Sequence, residues 1–339
     1  MLNAYPGGMP MVSDLRGSRI TLDHVWRALP ILLSFSMLCL APLREGDLWW
    51  HLSVGESIFR RQALPAVDEW TVGGAGRPSN AEHSWLSDVV LYTLETLGGL
   101  AALVTLQAVV GTATIGLCVY LGYRAGRSAQ LTSVLSLGGF LALYPFSTTR
   151  PQIFSFLLFA LVQVVLLEAY AGRPQWLWLL PVAMALWVNL HGGWVMGCVL
   201  VCTFTLGWVV EALSGRRTWR SLRPLWIWTA ATMAATSINP QGLRVYRYLV
   251  VMGQSPISQR FVSEWQPPAL SQAFTWPFWG LVLTALALVV LSRPRDWDVP
   301  LLVALPFTAL ALRYVRMVPF AAIALMPLLY ARLPRQARA

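Results

Sequence analysis

The chain has 339 residues, 56% of them hydrophobic and 12% charged, with a mean hydropathy of +0.57 and a formal net charge of +10. A water-soluble domain of this size cannot hide so much apolar surface, whereas a bilayer solvates it. All 25 basic side chains other than histidine are arginine, so P-loop, Schiff-base and pyridoxal-phosphate chemistries, which need a lysine, are excluded. The arginines sit in short loops between apolar runs, so the charge carries topology and no nucleic-acid partner is expected. Cys39, Cys118, Cys198 and Cys202 fall inside apolar runs and read as small hydrophobes rather than as a disulfide framework.

Taken in chain order, residues 1–26 are a polar cytoplasmic tail, 27–333 a transmembrane domain and 334–339 a second cytoplasmic tail. Apolar runs of roughly 17–25 residues recur, each able to cross about 30 Å of hydrocarbon as a helix. The first, near 25–43, lacks a small-residue cleavage site and reads as a retained span. A long first outer loop, 44–99, ends in an amphipathic interfacial helix over 85–99. Further spans are expected at 100–123, 131–146, 153–170, 176–188 and 194–213. A seventh ends at Ile238, and a second outer loop occupies 243–275. The last three spans end near Leu291, Arg313 and Leu333. The fold class expected is therefore an all-α membrane protein with about ten transmembrane helices.

One set of loops holds 15 of the 25 arginines but 6 of the 15 acids. The positive-inside rule makes that set cytoplasmic, with both termini, and makes the two long loops periplasmic in a bacterial inner membrane. Three of the four histidines and nine of the fifteen acids then face outside. Asp47 and His51 stand four apart and share one face of any helix begun there. Asp47 follows a glycine, so it reads either as an N-cap or as a functional carboxylate near the membrane surface. Trp49 and Trp50 suit interfacial anchors. Glu82 and His83 are the metal candidates, for a divalent cation such as Mg or Mn, although adjacent helical residues seldom aim at one ion. Asp68 and Glu69 read equally well as a solvated turn, and His191 as a satisfied helix-end histidine or a substrate contact. Arg150, Arg313 and Arg316 are guanidiniums at the outer ends of spans, suited to phosphate or pyrophosphate or to phospholipid headgroups.

These residues fall in a set of short motifs. They are Gly46-Asp47-Leu48-Trp49-Trp50-His51 with Gly55, Pro65-x-x-Asp68, Glu82-His83-x-Trp85-Leu86, Arg150-Pro151-Gln152, Trp187-Val188-Asn189-Leu190-His191-Gly192-Gly193, Asn239-Pro240-x-Gly242 and Ser263-Glu264-Trp265-Gln266-Pro267. Together they resemble bacterial membrane proteins related to the GT-C class of glycosyltransferases, over roughly residues 27–333. The resemblance implies a sugar donor linked to a polyprenyl phosphate or pyrophosphate. It implies an acidic residue just after the first span, acting as base or metal ligand, and Asp47 matches it. Where the mannosyl- and aminoarabinosyl-transferases carry a pair of acids, this chain has Gly46-Asp47.

The reading that follows is a membrane glycosyltransferase moving a sugar to a glycan, lipid or protein acceptor, with Asp47 as catalytic base. His51, Arg150, His191, Arg313, Arg316 and Glu264 are the expected substrate-binding residues. The rivals are a transporter or flippase of lipid-linked intermediates, or a membrane scaffold. A transporter usually places ionisable groups near mid-membrane, and here they cluster at one face.

Overall fold

The computed structural model describes residues 20–43, 47–71, 73, 76, 83–247, 260–292 and 298–333. Among them the chain is helical throughout, joined by turns, with no strand. The tails beyond 20–333 and parts of both long loops lie outside the described residues.

Helix α1 (Leu22–Cys39) opens where Thr21 N–H donates to His24 Nδ1 at 3.1 Å. Helix α2 (Asp47–Arg61) follows and packs along α3 (Trp85–Arg124). Helix α3 is bent at Gly99, which has φ +60° and ψ −159°, a backbone readily available to glycine alone. The bend divides a leg over 85–98, which meets α2, from a leg over 100–124 that carries the apolar run. The sequence placed the interfacial helix and the following span on either side of this residue.

The remaining helices are α4 (Ala129–Leu143), α5 (Gln152–Tyr170), α6 (Leu179–Leu190), α7 (Trp194–Leu213), α8 (Trp219–Ala235), α9 (Trp276–Leu291), α10 (Val299–Arg313) and α11 (Val318–Arg332). Side-chain caps start two of them: Ser128 accepts from Leu131 N–H at 3.3 Å, and Asp298 from Leu301 N–H at 3.1 Å. Among the described residues, six helical stretches are long and apolar enough to cross a membrane: Trp85–Arg124, Ala129–Phe146, Gln152–Tyr170, Trp194–Leu213, Ala273–Leu291 and Val315–Arg332. Helices α1, α6, α8 and α10 fill the other four apolar runs but fall short of that length or hydropathy.

Helices α5 and α11 form the centre, and α9 lies at the rim. Edge-to-face rings fix that centre. Phe159 meets Phe307 at 4.9 Å and Phe320 at 5.2 Å, and Phe156 meets Phe320 at 5.5 Å. Trp187 and Trp194 are fully buried. Gly197 lets α7 approach Trp187 on α6, since a Cβ there would lie 2.6 Å from the Trp187 ring.

One end of the bundle is closed by ion clamps. Glu168 accepts from Tyr120 OH at 2.7 Å and Arg124 Nε at 2.9 Å, and also pairs with Arg173. Glu211 accepts from Tyr170 OH at 2.6 Å and Arg217 Nε at 2.8 Å. The Arg217 guanidinium also stacks 4.0 Å from the Tyr170 ring centre. Asp298 pairs with Arg332 at 2.7 Å. Glu168 and Glu211 are buried, and a charge withdrawn from water beside an apolar bundle persists only when paired.

These clamps generate a stability prediction. Glu168→Gln keeps the volume but leaves Arg124 and Arg173 without their shared counter-charge. Loss of one partner from a buried pair costs about 3 kcal/mol, so the variant should melt well below the wild type in detergent, as read by differential scanning fluorimetry. Coincident melting curves would show that the pair contributes no more than a surface contact.

Candidate functional site

The end of the bundle opposite the clamps holds a cavity of about 480 Å³. Six segments distant in sequence build it: the start of α2, the turn before α3, the turn before α5, the α6–α7 connection, the 3-10 turn Ser263–Trp265 and the connection into α11. Its polar wall includes Asp47, His51, His83, Arg150, His191 and Arg316, and Phe156, Met196, Met317 and Phe320 supply apolar lining.

Arg150 stands at the centre of the charge pattern. A short 3-10 turn, Tyr144–Phe146, ends α4, and Pro151 starts α5 immediately after Arg150. The intervening turn presents the guanidinium as a fork. Nη2 donates to Asp47 Oδ2 at 2.6 Å and Nη1 to Glu264 Oε1 at 2.9 Å. The Asp47 side chain is 58% exposed, against 22% for Arg150. The Glu264 segment is itself anchored: Val315 N–H donates to the Gln266 carbonyl at 2.8 Å, and Trp265 meets Tyr314 at 5.5 Å. The Arg316 guanidinium lies 4.8 Å from the Trp265 ring centre.

On the α2–α3 side, the His51 ring is buried and its Nδ1 sits 2.7 Å from Asp88 Oδ1. Ser84 Oγ donates to the other Asp88 oxygen at 3.2 Å, and Asp88 has no solvent exposure. Gly55, one turn beyond His51, explains the close approach. A Cβ at that position would lie 2.1 Å from the Asp88 carbonyl oxygen and 2.8 Å from Tyr92 Cβ, so a side chain there would force the two helices apart.

The α6–α7 connection is fixed by its own polar groups. Trp85 Nε1 donates to Asn189 Oδ1 at 2.8 Å, and Asn189 Nδ2 to the Ile238 carbonyl at 2.7 Å. Ser87 Oγ donates to the Leu190 carbonyl. His191 ends α6 and is half-buried. Its Nδ1 accepts from Gly193 N–H at 3.0 Å and lies 2.7 Å from Ser155 Oγ, which in turn accepts from Trp187 Nε1 at 2.7 Å. An Nδ1 that accepts leaves the proton on Nε2, the neutral donor tautomer. Withdrawal from solvent, helped by positive charge from His83, Arg316, His51 and Arg150, holds this imidazole well below its ordinary pKa.

The cavity therefore gathers six of the residues singled out in the sequence: Asp47, His51, His83, Arg150, His191 and Arg316. Glu264 reaches it through Arg150. Arg313 does not belong to it. It is exposed and stacks on Tyr314 at 4.9 Å, because α10 ends there in an extended residue that sends Arg313 and Arg316 different ways. Glu82 lies outside the described residues. Among the described residues no three His, Cys, Asp or Glu side chains converge as metal ligands. Trp50 lines the cavity while Trp49 is exposed, so only Trp49 keeps the setting expected of an anchor.

Other motifs prove structural. Asp68 Oδ1 accepts from the backbone of Trp70 and Thr71 at 2.9 and 3.1 Å, and Glu69 takes both guanidinium nitrogens of Arg61. Asn239 Oδ1 accepts from Gln241 N–H at 2.8 Å, and Gly242 follows at φ +54°, which turns the chain after α8. Asp88 and Ser155 carry no sequence signal of a role, since their partners lie 37 and 36 residues away. Compared with protein-family models and with curated proteins, the chain matches none.

The depressed His191 pKa has a pH consequence. The unfolded chain binds a proton near pH 6.5 that the folded protein refuses, so this group's contribution to stability is present above about pH 6.5 and is lost as pH falls toward the folded value. The melting temperature in detergent should fall between about pH 7 and pH 5, and fall less in His191→Gln, which has no ring to protonate. Equal slopes in the two proteins would remove His191 as the cause.

Proposed function

We propose that the protein is a membrane glycosyltransferase of the GT-C kind. On this reading it moves a sugar from a polyprenyl phosphate or pyrophosphate to an acceptor presented at the same membrane face. The observation that carries the reading is the meeting of Arg150, Arg316, Asp47 and three histidines in one cavity at one end of an apolar bundle. Guanidiniums match phosphate oxygens in number and geometry, and the apolar lining suits the lipid side of such a donor.

The chemistry asked of the site is a displacement at the anomeric carbon through an oxocarbenium-like transition state. The bond from that carbon to the donor phosphate breaks, and its electron pair leaves with the phosphate. Arg150 and Arg316 neutralise this charge as it develops. The acceptor oxygen bonds to the same carbon and gives its proton to a cavity base, either Asp47 or His51. Asp47 and Glu264 hold the Arg150 fork until a phosphate takes it over.

The topology belongs to the same proposal: ten spans, with both termini cytoplasmic and the cavity facing the periplasm of a bacterial inner membrane. The clamp end holds Arg124, Arg173, Arg217 and Arg332, as the positive-inside rule requires of the cytoplasmic side. Reporter fusions at Ala339 and within residues 216–223 should be active only as cytoplasmic reporters. A periplasmic signal at either place would reverse the cavity's orientation.

The donor role is tested with a polyprenyl-phosphate sugar and purified protein in detergent. Arg150→Lys keeps the charge but loses the two-pronged geometry, so donor KM should rise about tenfold, equal to about 1.4 kcal/mol of binding. Arg150→Ala and Arg316→Ala should each weaken binding further. Unchanged donor binding in both alanine variants would rule out the phosphate role.

A further inference from the structure

We propose that His51, held by the buried Asp88, takes up the acceptor's proton, while Asp47 serves to hold Arg150 for the donor phosphate. This rests on the glycosyltransferase reading. It assigns the proton to the residue the fold orients rather than to the acid next to the first span.

The two candidate bases differ in what surrounds them. Asp47 already receives the Arg150 guanidinium at 2.6 Å, and more than half of its side chain is exposed. His51 is buried in the cavity wall, with Nδ1 committed to Asp88 at 2.7 Å. A ring whose Nδ1–H donates to a carboxylate keeps its lone pair on Nε2, the arrangement that makes a histidine a base. The carboxylate then stabilises the imidazolium formed when the proton arrives.

Three features keep this pair in place. Gly55 removes the side chain that would otherwise separate α2 from the Asp88 backbone. Ser84 Oγ supports the second Asp88 oxygen at 3.2 Å. Ser87 ties the same turn of α3 to the Leu190 carbonyl beside His191. Together they fix the α2–α3 crossing and the Asp88 carboxyl that holds the ring. Asp88 is thus a positioning residue: it touches the base and does not line the cavity.

In the step, the acceptor O–H bond breaks and its proton moves to His51 Nε2. The acceptor oxygen bonds to the anomeric carbon, and the phosphate leaves with the electron pair toward Arg150 and Arg316. The charged and titratable groups facing this ring are Asp47 on its own helix, Asp88 on α3, His83 before α3, Arg150 before α5, His191 after α6 and Arg316 before α11. Asp88 holds Nδ1 at 2.7 Å, so it is the group that selects the tautomer.

The test has an arm that needs no turnover. Nitrogen-15 histidine NMR of the full chain in detergent, with His51→Gln used for assignment, should show the neutral wild-type His51 ring with Nε2 unprotonated, and Asp88→Asn should shift that tautomer. A wild-type ring carrying its proton on Nε2 would overturn the inference. This holds even if no polyprenyl-phosphate sugar is ever transferred, an outcome that would count against the glycosyltransferase reading instead.

The second arm is transfer as a function of pH. His51→Gln keeps a donor for Asp88 but cannot take up a proton. It should lower kcat by about 10²- to 10⁴-fold and abolish the acid limb of the profile. Asp47→Asn should keep that limb and raise donor KM, because it loosens Arg150. If His51→Gln does not fold, Asp47→Asn still decides, since loss of the acid limb there, with His51 intact, would return the base to Asp47. An unchanged acid limb in folded His51→Gln would overturn the inference equally.

Discussion

The fork of Arg150 is the contact on which the cavity depends. It joins Asp47, 103 residues earlier in the chain, to Glu264, 114 residues later, and so ties the start of α2 to the loop that anchors α10 and α11. Each prong is a charge-assisted hydrogen bond, stronger and more directional than a neutral one. One cation between two carboxylates leaves a net negative triad, and Arg316 stands on the Trp265 side of the same wall.

The two ends of the bundle use arginine for different purposes. At the clamp end, Glu168 and Glu211 are buried and each is satisfied by a tyrosine hydroxyl as well as by guanidinium. Such pairs have little room for a competing anion. At the cavity end, Asp47 and Glu264 are more exposed and reach Arg150 by one contact each. The difference in burial separates a structural pair from one that a ligand can rearrange, because desolvation both strengthens a pair and makes its separation costly.

The histidines show how local geometry sets protonation roles within one cavity. At His191 a backbone N–H points at Nδ1, so the ring is neutral and donates through Nε2. At His51 the Asp88 side chain occupies the same atom, and on our proposal it favours the opposite tautomer. On that assignment two imidazoles of the same chemistry present opposite faces to the cavity, one a donor and one an acceptor. The glycines at 55, 193 and 197 belong to this arrangement, since a Cβ at each would strike Asp88, Ser155 or Trp187.

The sequence alone determined that the protein is an all-α membrane protein, where its helices break and which motifs cluster at one end. Hydropathy over twenty residues and the conformational freedom of Gly99 are local quantities that each segment carries with it. It also brought Asp47, His51, His83, Arg150, His191 and Arg316 into view as candidates, because ionisable side chains beside apolar runs are costly and therefore informative. It did not separate Arg313 from Arg316, three positions apart, since the extended residue between them decides which way each points. Nor did it mark Asp88, whose importance lies entirely in a helix crossing that Gly55 permits. Those decisions belong to the tertiary structure: an ion pair or a tautomer depends on atoms a hundred residues or a few tens of residues apart, and only packing sets that distance.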